Sequence, residues 1–202
     1  MNRKIGMASS LVTLLAVAAF AACMLLNSQM GSYLSSMFIA WGYLPMACAL
    51  AARAKDEARA AALTGMAFAS IYGVLIAVVY FAQLTAVRLS PLSEEALSIL
   101  DYTRFGLFFS LDLLGYGFMA LSTFFLGLTV SPEGRADKWL KGLLMIHGVF
   151  AVSCVVLPIL GLFKPGMAGG DLIGVLVLEF WCAYFLPVCA LAYMHFRSEA
   201  QS

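Results

Sequence analysis

Charged residues are scarce in this sequence, and one long stretch has none at all. Lysine, arginine, aspartate and glutamate make up 11% of the 202 residues, and none of them occurs from Ile5 to Ala52. Soluble domains are about a quarter charged, so this composition excludes a water-soluble globule. The formal net charge is only +1 and the basic residues stand in short runs, so no surface able to follow a nucleic acid is expected.

The residue types that build metal and cofactor sites are also few. The sequence has only two histidines, too few for a three-histidine zinc site. All its cysteines fall in apolar runs, where a free thiol packs as a small hydrophobe, so no disulfide framework is expected. A Gly-x-Ser-x-Gly elbow and a phosphate-binding glycine loop are absent. We therefore predict no cofactor, no metal and no catalytic residue, although these absences do not exclude an enzyme. The cysteines are Cys23, Cys48, Cys154, Cys182 and Cys189.

Hydrophobic residues dominate instead, at 63% of the chain, and they form six long runs. Each run is long enough to cross roughly 30 Å of hydrocarbon as a helix. The polar segments between the runs are turns, and none is long enough to fold alone. The sequence predicts an all-α fold with a single membrane-embedded domain over residues 1–202, a bundle of six transmembrane helices. The predicted spans are residues 5–26, 33–52, 60–87, 105–130, 139–163 and 172–196.

Lysine and arginine are divided unequally between the two sides of such a bundle. One side carries nine of these residues, while the other carries only Arg88, Arg104 and Lys164. Positively charged loops are retained in the cytoplasm, so the sequence predicts that both termini are cytoplasmic. The nine are Arg3, Lys4, Arg53, Lys55, Arg59, Arg135, Lys138, Lys141 and Arg197.

The first apolar run shares features with a secretory signal. Arg3 and Lys4 precede it, and the segment 20–23, Phe-Ala-Ala-Cys, approximates a lipoprotein cleavage site. The run nevertheless continues to Leu26 without a helix breaker, which is longer than a signal requires. We interpret it as a transmembrane helix rather than a cleaved signal.

The longest connection on the expected outer side runs over residues 89–103. Ser90 and Pro91 are suited to cap and begin a helix, and apolar residues follow at helical spacing. The pattern predicts a short amphipathic helix on the outer interface, between the third and fourth spans. The segment could cover an outward-facing cavity as a lid, or it could simply shield helix ends, which is the preferred reading. The apolar residues are Leu92, Ala96, Leu97 and Leu100.

Two acidic residues inside the predicted spans, Asp112 and Glu179, carry the most information about function. An ionised carboxylate near the bilayer centre costs about 2.5 to 3.5 kcal/mol, so something must offset it. A rise of about 1.5 Å per residue places both roughly 12 Å below the outer boundary, on different helices, so they could face each other. No lysine or arginine lies well inside any span. If the two acids meet, one or both are expected to be protonated near neutral pH.

Tyrosine and glutamine side chains could line a polar cleft with these acids. Asp112 shares a helix face with Tyr116, and the third span offers further polar groups on one face. We predict a site for a small solute or a proton, with His147, roughly 12 Å deeper, as a secondary candidate. The alternative is that each acid is a protonated carboxyl with a purely structural role. The candidate site residues are Asp112, Glu179, Tyr116, Gln83 and Tyr80.

Three segments resemble an uncharacterised group of small multi-pass proteins of bacterial membranes. They are residues 111–118, Leu-Asp-Leu-Leu-Gly-Tyr-Gly-Phe, residues 137–140, Asp-Lys-Trp-Leu, and residues 179–184, Glu-Phe-Trp-Cys-Ala-Tyr. The resemblance covers the latter half of the chain and implies a helical bundle in a bacterial inner membrane. That group has no established activity, so the resemblance carries over no functional residue.

Three hypotheses for function follow. The first is a bundle in the lipid bilayer, alone or as a homo-oligomer, that binds or moves a small solute or a proton through its polar centre. The second is a non-catalytic assembly protein whose small-residue faces dock another membrane protein. The third is an enzyme acting on lipid, with His147 as base and a carboxylate orienting it. The small-residue faces are Ala16, Ala19 and Ala22, or Ala47 and Ala51.

Overall fold

The structure is a computed structural model that describes residues 1–162 and 170–198. These ranges contain eight α-helices and no strand, with short 3-10 turns at Asp56–Ala58 and Tyr102–Arg104 and a π-helical turn at Gln83–Val87. The α-helices are α1 (Asn2–Leu25), α2 (Gln29–Ala51), α3 (Arg59–Ala82), α4 (Glu94–Leu100), α5 (Leu107–Thr129), α6 (Arg135–His147), α7 (Val149–Ile159) and α8 (Gly170–Ser198).

Six helical segments are long and apolar enough to cross a membrane, so the predicted all-helical structure with six candidate spans is confirmed. Large apolar side chains such as Leu15, Val74 and Val149 stand exposed on the outside of the bundle, as a lipid-facing surface requires. The end of the fifth predicted run at Phe163, and the turn that follows it, lie outside the described residues. The six segments are residues 2–25, 29–51, 56–87, 107–129, 135–159 and 174–198.

The fifth span differs from the prediction because it consists of two helices. α6 ends at His147 and α7 begins at Val149, with Gly148 between them. A Cβ atom added at Gly148 would lie 2.9 Å from the Cβ atom of Phe124 on α5. The glycine therefore allows α5 to approach the break closely. The span also begins at Arg135, earlier than the predicted start at Trp139.

α5 is the central helix and packs against α2, α3, α6 and α7. Glycines bring two of these neighbours close to it. A Cβ atom added at Gly127 of α5 would lie 2.8 Å from Cγ of Met145 on α6, and one added at Gly65 of α3 would lie 2.8 Å from Cγ of Leu126. Helices in lipid associate through such small residues, because no hydrophobic force between them remains once they are in the membrane.

A buried chain of hydrogen bonds also joins α2, α5 and α3. The Tyr43 hydroxyl donates to the Ser122 hydroxyl at 2.7 Å, and Ser122 donates to the backbone carbonyl of Gly65 at 2.7 Å. The hydroxyls of Tyr43 and Ser122 are buried within the bundle, so these hydrogen bonds hold the three helices in one register without exposing a polar group to lipid.

The first and last helices meet at one end of the bundle. The Arg3 guanidinium donates to the backbone carbonyl of Phe196, and that of Arg53 donates to the carbonyl of His195, each at 3.2 Å. These bonds satisfy carbonyl groups in the last turn of α8, which have no partner within the helix. We call this the terminal end, and the opposite end, which carries α4, the connector end. Which end faces the cytoplasm stays a prediction.

α4 is the short helix predicted between the third and fourth spans, but it begins later than predicted. Its cap is Ser93, whose hydroxyl accepts a hydrogen bond from the Ala96 N–H group at 3.3 Å. Ser90 is not the cap, because its own N–H group still bonds to the carbonyl of Ala86 at the end of the preceding helix. The helix is amphipathic as predicted: Ala96, Leu97 and Leu100 are half-buried, whereas the residues on its other side are exposed.

Candidate functional site

Asp112 is the most deeply buried carboxyl group of the described chain, with 2% of its surface exposed. It projects from the central helix α5 toward α3 and the connector between α4 and α5, where the hydroxyl groups of Tyr80 and Tyr102 interact with it. No ion pair with lysine, arginine or histidine involves this carboxyl in residues 1–162 and 170–198. The site therefore holds an acidic group among neutral donors in a low-dielectric environment.

Five tyrosines surround this carboxyl, and we call them the tyrosine cluster. Their rings contact one another at centroid distances from 5.6 Å, for Tyr33 and Tyr80, to 6.1 Å, for Tyr33 and Tyr102. Tyr72 and Tyr116 form a second contact at 5.7 Å with the ring edge of one against the other. α2, α3, α5 and the connector each contribute to the cluster, so the fold assembles it from four distant parts of the sequence. The cluster is Tyr33, Tyr72, Tyr80, Tyr102 and Tyr116.

Three buried oxygen atoms at this site form no well-aligned hydrogen bond within the described part of the chain, although the hydroxyls of Tyr72 and Tyr116 are close enough to interact with each other. They are Oδ1 of Asp112 and the hydroxyl oxygens of Tyr72 and Tyr116. Buried polar atoms in proteins are almost always hydrogen-bonded, and those that are not mark sites of strain or function. All three can accept a hydrogen bond, so the site presents one such acceptor on the acidic group itself and two on tyrosine hydroxyls.

Gln83 fixes the connector over the tyrosine cluster. Its amide nitrogen donates to the backbone carbonyl of Leu100 at 2.7 Å, and its amide oxygen accepts from the Tyr102 N–H group at 3.0 Å. The side chain is 3% exposed and stands at the start of the π-helical turn, a feature that recurs at functional sites. The predicted site residue Gln83 thus holds Tyr102 in place and does not itself interact with Asp112.

Tyr102 is the member of the cluster that lies outside the membrane-spanning segments. Burial raises the pKa of its phenol well above the usual value, and the Asp112 carboxyl raises it further. Tyr102 therefore remains protonated under ordinary conditions and presents a neutral hydroxyl to the site. After it, Phe105 adopts a left-handed conformation with φ 55°, and a Cβ atom at Gly106 would collide with the backbone of Ser98. The connector consequently turns back sharply into α5.

Glu179 lies apart from this arrangement. It is half-buried on α8, where its carboxyl acts electrostatically on the Cys182 thiol of the same helix. Its Oε1 atom has no hydrogen-bond partner among the described residues, and no hydrogen bond joins it to Asp112. Of the predicted site residues, the structure brings Asp112, Tyr116 and Tyr80 together and places Gln83 above them, and it leaves Glu179 outside.

His147 forms a second buried polar site, and Trp181 contacts both this site and Tyr116. Its Nε2 atom accepts a hydrogen bond from the indole N–H group of Trp181 at 3.0 Å, and its Nδ1 atom lies 2.8 Å from the Thr123 hydroxyl. An indole can only donate, so Nε2 must be unprotonated and Nδ1 carries the proton that is donated to Thr123. The Thr123 hydroxyl in turn donates to the carbonyl of Ala120 at 2.8 Å.

This arrangement bears on the idea that His147 is a base oriented by a carboxylate. Both ring nitrogens are already engaged, by a threonine and a tryptophan, and the ring stacks on Tyr184 at 5.7 Å. The neutral imidazole on α6 is thus hydrogen-bonded to side chains of α5 and α8. The ring of Tyr116 contacts that of Trp181 at 5.3 Å, so the two buried sites touch through these side chains. A proton could not pass between them through the indole, which has no acceptor.

A histidine–carboxylate pair does occur at the terminal end, where the sequence analysis singled out neither residue. Nδ1 of His195 lies 2.7 Å from Oδ1 of Asp137, and the other carboxylate oxygen accepts from the Glu133 N–H group at 3.1 Å. A cavity of about 150 Å³ lined by His195, Asp137, Arg53 and Lys55 adjoins the pair. The signal for this pair was that Asp137, just before the fifth predicted span, and His195, at the end of the sixth, were predicted on the same side of the membrane.

The tyrosine cluster was only partly predictable. Tyr80 and Tyr116 stand at helical spacing beside other polar residues, which is why they were proposed. Tyr33 lies near the start of α2 and Tyr102 in the connector, and nothing in their local sequence distinguishes them from interfacial aromatics. Of the small-residue faces, Ala16 and Ala47 are buried within the bundle, whereas Ala19 and Ala22 are exposed.

Comparison of the chain with known protein families, with curated proteins and with solved structures finds no match. The function must therefore be argued from the geometry around Asp112.

Proposed function

We propose that this chain is a multi-pass membrane protein that binds a small solute or a proton at Asp112. The observation that carries the proposal is a carboxyl group that is 2% exposed, unpaired at Oδ1, and set among tyrosines rather than cations. A carboxylate in this position is costly for stability, and such groups in membrane proteins mark substrate and ion pathways. Stability alone would favour an apolar residue here.

The location of the site supports access from one side of the membrane. Asp112 lies near the connector end, where Gln83 holds the connector that carries Tyr102 of the tyrosine cluster. We propose that this end faces outward in a bacterial inner membrane, with both termini in the cytoplasm. The excess of lysine and arginine on the terminal side supports this orientation. A reporter enzyme active only in the cytoplasm, fused after Ser202, should be active.

Infrared difference spectroscopy on the purified protein in nanodiscs tests whether Asp112 binds and releases a proton. Stepping the pH should change a carboxyl signal that disappears in Asp112→Asn and persists in Glu179→Gln. The Glu179 variant is the matched control, because it removes an intramembrane carboxyl that lies outside the tyrosine cluster.

Thermal unfolding with a panel of small cations, amino acids, carboxylic acids and sugars tests whether the site binds a solute. A ligand present at about 100 times its Kd stabilises the folded state by about 2.7 kcal/mol, which is readily measured. Stabilisation should occur in the wild type and in Glu179→Gln but not in Asp112→Asn. A carboxyl signal that is independent of pH, together with no solute that distinguishes these variants, would contradict the proposal. Asp112 would then be a structural group, and an assembly role would take precedence.

A further inference from the structure

We propose that the ligand of the Asp112 site is the primary ammonium group of a small organic amine. This inference rests on the proposed function, since it names the class of solute that the same site would take. It follows from three properties of the site: its charge, the chemistry of its aromatic walls and the number of its unpaired acceptors.

The negative charge of an ionised Asp112 carboxylate favours a cationic ligand. Asp112 is buried, and the described residues supply no cationic partner within the bundle. The hydroxyl groups of Tyr80 and Tyr102 interact with the carboxylate but carry no charge. A positively charged ligand would therefore provide the compensation that the protein does not. While the carboxyl is ionised, an anionic ligand would place two like charges in a low dielectric and is therefore disfavoured.

The aromatic walls favour an organic cation. Aromatic rings attract cations through the negative charge on their faces, and tyrosine does so while also offering a hydroxyl group. Tyr33, Tyr80 and Tyr102 contact one another at 5.6 to 6.1 Å, Tyr72 and Tyr116 contact each other at 5.7 Å, and the Asp112 carboxyl acts electrostatically on all five. Rings from α2, α3, α5 and the connector thus lie near the same charged group.

The unpaired acceptors select a primary ammonium over other cations. A primary ammonium group has three N–H donors, and the site has three unpaired oxygen atoms: Oδ1 of Asp112 and the hydroxyls of Tyr72 and Tyr116. A quaternary ammonium ion has no N–H group and would leave all three unpaired. Unpaired buried acceptors reduce affinity strongly, which is how sites reject ligands that lack the matching donor.

Trp181 offers an optical probe of the site, because its ring contacts Tyr116 at 5.3 Å. The other tryptophans, Trp41 and Trp139, are 54% and 66% exposed on the outside of the bundle, so both can be replaced by phenylalanine. In this background the fluorescence of Trp181 is followed while methylammonium chloride is added, with potassium chloride and tetramethylammonium chloride as comparisons. Isothermal titration calorimetry on the same samples detects binding that leaves the fluorescence unchanged.

The expected result is saturable binding of methylammonium, with tetramethylammonium and potassium at least about tenfold weaker. Asp112→Asn should reduce methylammonium affinity by roughly tenfold or more, and Glu179→Gln should leave it unchanged. Tyr72→Phe keeps the ring and removes one acceptor, so it should cost about tenfold. Relative to Tyr80→Phe, which removes only the hydroxyl, Tyr80→Leu also removes the ring and should cost a further 2-fold to 30-fold, roughly.

The outcomes separate this inference from the proposed function. If the carboxyl signal of Asp112 responds to pH or to another solute but methylammonium does not bind, the ammonium inference fails and the proposed function stands. Equal binding of methylammonium and tetramethylammonium, or no effect of Tyr72→Phe, would also overturn the ammonium inference. If Asp112→Asn alters neither the proton response nor the binding of any solute, both fail. Circular dichroism and size-exclusion profiles of each variant establish that it is folded.

Discussion

The hydrogen bond between Trp181 and His147 allows a quantitative test of the buried network. His147→Phe keeps a planar ring but removes both nitrogens, so the indole N–H group and the Thr123 hydroxyl lose their partner. Leaving a buried polar group unsatisfied costs about 1 to 3 kcal/mol. Trp181→Phe leaves Nε2 of His147 without its donor at a similar cost, and it also weakens the stacking on Phe185, whose ring centroid is 5.1 Å away.

In the double variant neither member of the pair remains to be left unsatisfied. Its cost should therefore be smaller than the sum of the two single costs. The difference should be about 0.6 to 1.7 kcal/mol, as double-mutant cycles give for hydrogen bonds between membrane helices.

The measurement is reversible unfolding in mixed micelles, which yields a free energy of unfolding for each variant. Trp139→Phe is the control: that side chain is 66% exposed, and its replacement should change the free energy by less than about 0.5 kcal/mol. Costs that add to within about 0.3 kcal/mol would refute the assigned hydrogen bond and the tautomer derived from it.

Three further predictions follow from other contacts. Gly6→Ala places a Cβ atom 2.6 Å from the Phe196 ring and should destabilise the protein by about 1 to 3 kcal/mol in the same unfolding assay. Gly142→Ala meets no atom within 4 Å and should be neutral or stabilising by up to about 1 kcal/mol; equal effects at both positions would contradict the packing. Asp112→Asn should leave the free energy of unfolding unchanged or raise it by up to about 3 kcal/mol, and a clear loss would mean that the carboxylate is structural. Because the pKa of Tyr102 is raised in the folded state, its contribution to stability should be complete below a pH of about 10 and decline above it. Unfolding of Tyr102→Phe should therefore depend less on alkaline pH than unfolding of the wild type.

The six spans follow from composition and length alone. An apolar run of about 20 residues must hydrogen-bond its own backbone in lipid, so its secondary structure is fixed locally and can be read without knowing the neighbours. The short helix between the third and fourth spans was predictable from a different local signal, the helical spacing of Ala96, Leu97 and Leu100. Its starting point was not, because Ser90 and Ser93 are both suitable caps and the choice depends on where the preceding helix ends.

The candidate site, too, was only partly predictable from the sequence. The sequence identified Asp112 as costly, since an acidic residue within a span is unfavourable wherever it points. It could not distinguish Asp112 from Glu179, because depth along a helix axis is set by counting residues, whereas the direction of a side chain depends on which helices pack around it. In the structure Asp112 is enclosed by the tyrosine cluster, and Glu179 is half-buried beside Cys182.

The sequence by itself determined that this is a membrane-embedded helical chain with a costly acid in its fourth span. Only the tertiary structure decided what surrounds that acid, because Tyr33, Tyr80 and Tyr102 come from separate elements and meet through packing. The structure likewise decided that His147 is occupied by Thr123 and Trp181. Helix formation depends on neighbours a few residues apart, and a binding site depends on contacts between residues that the sequence keeps far apart.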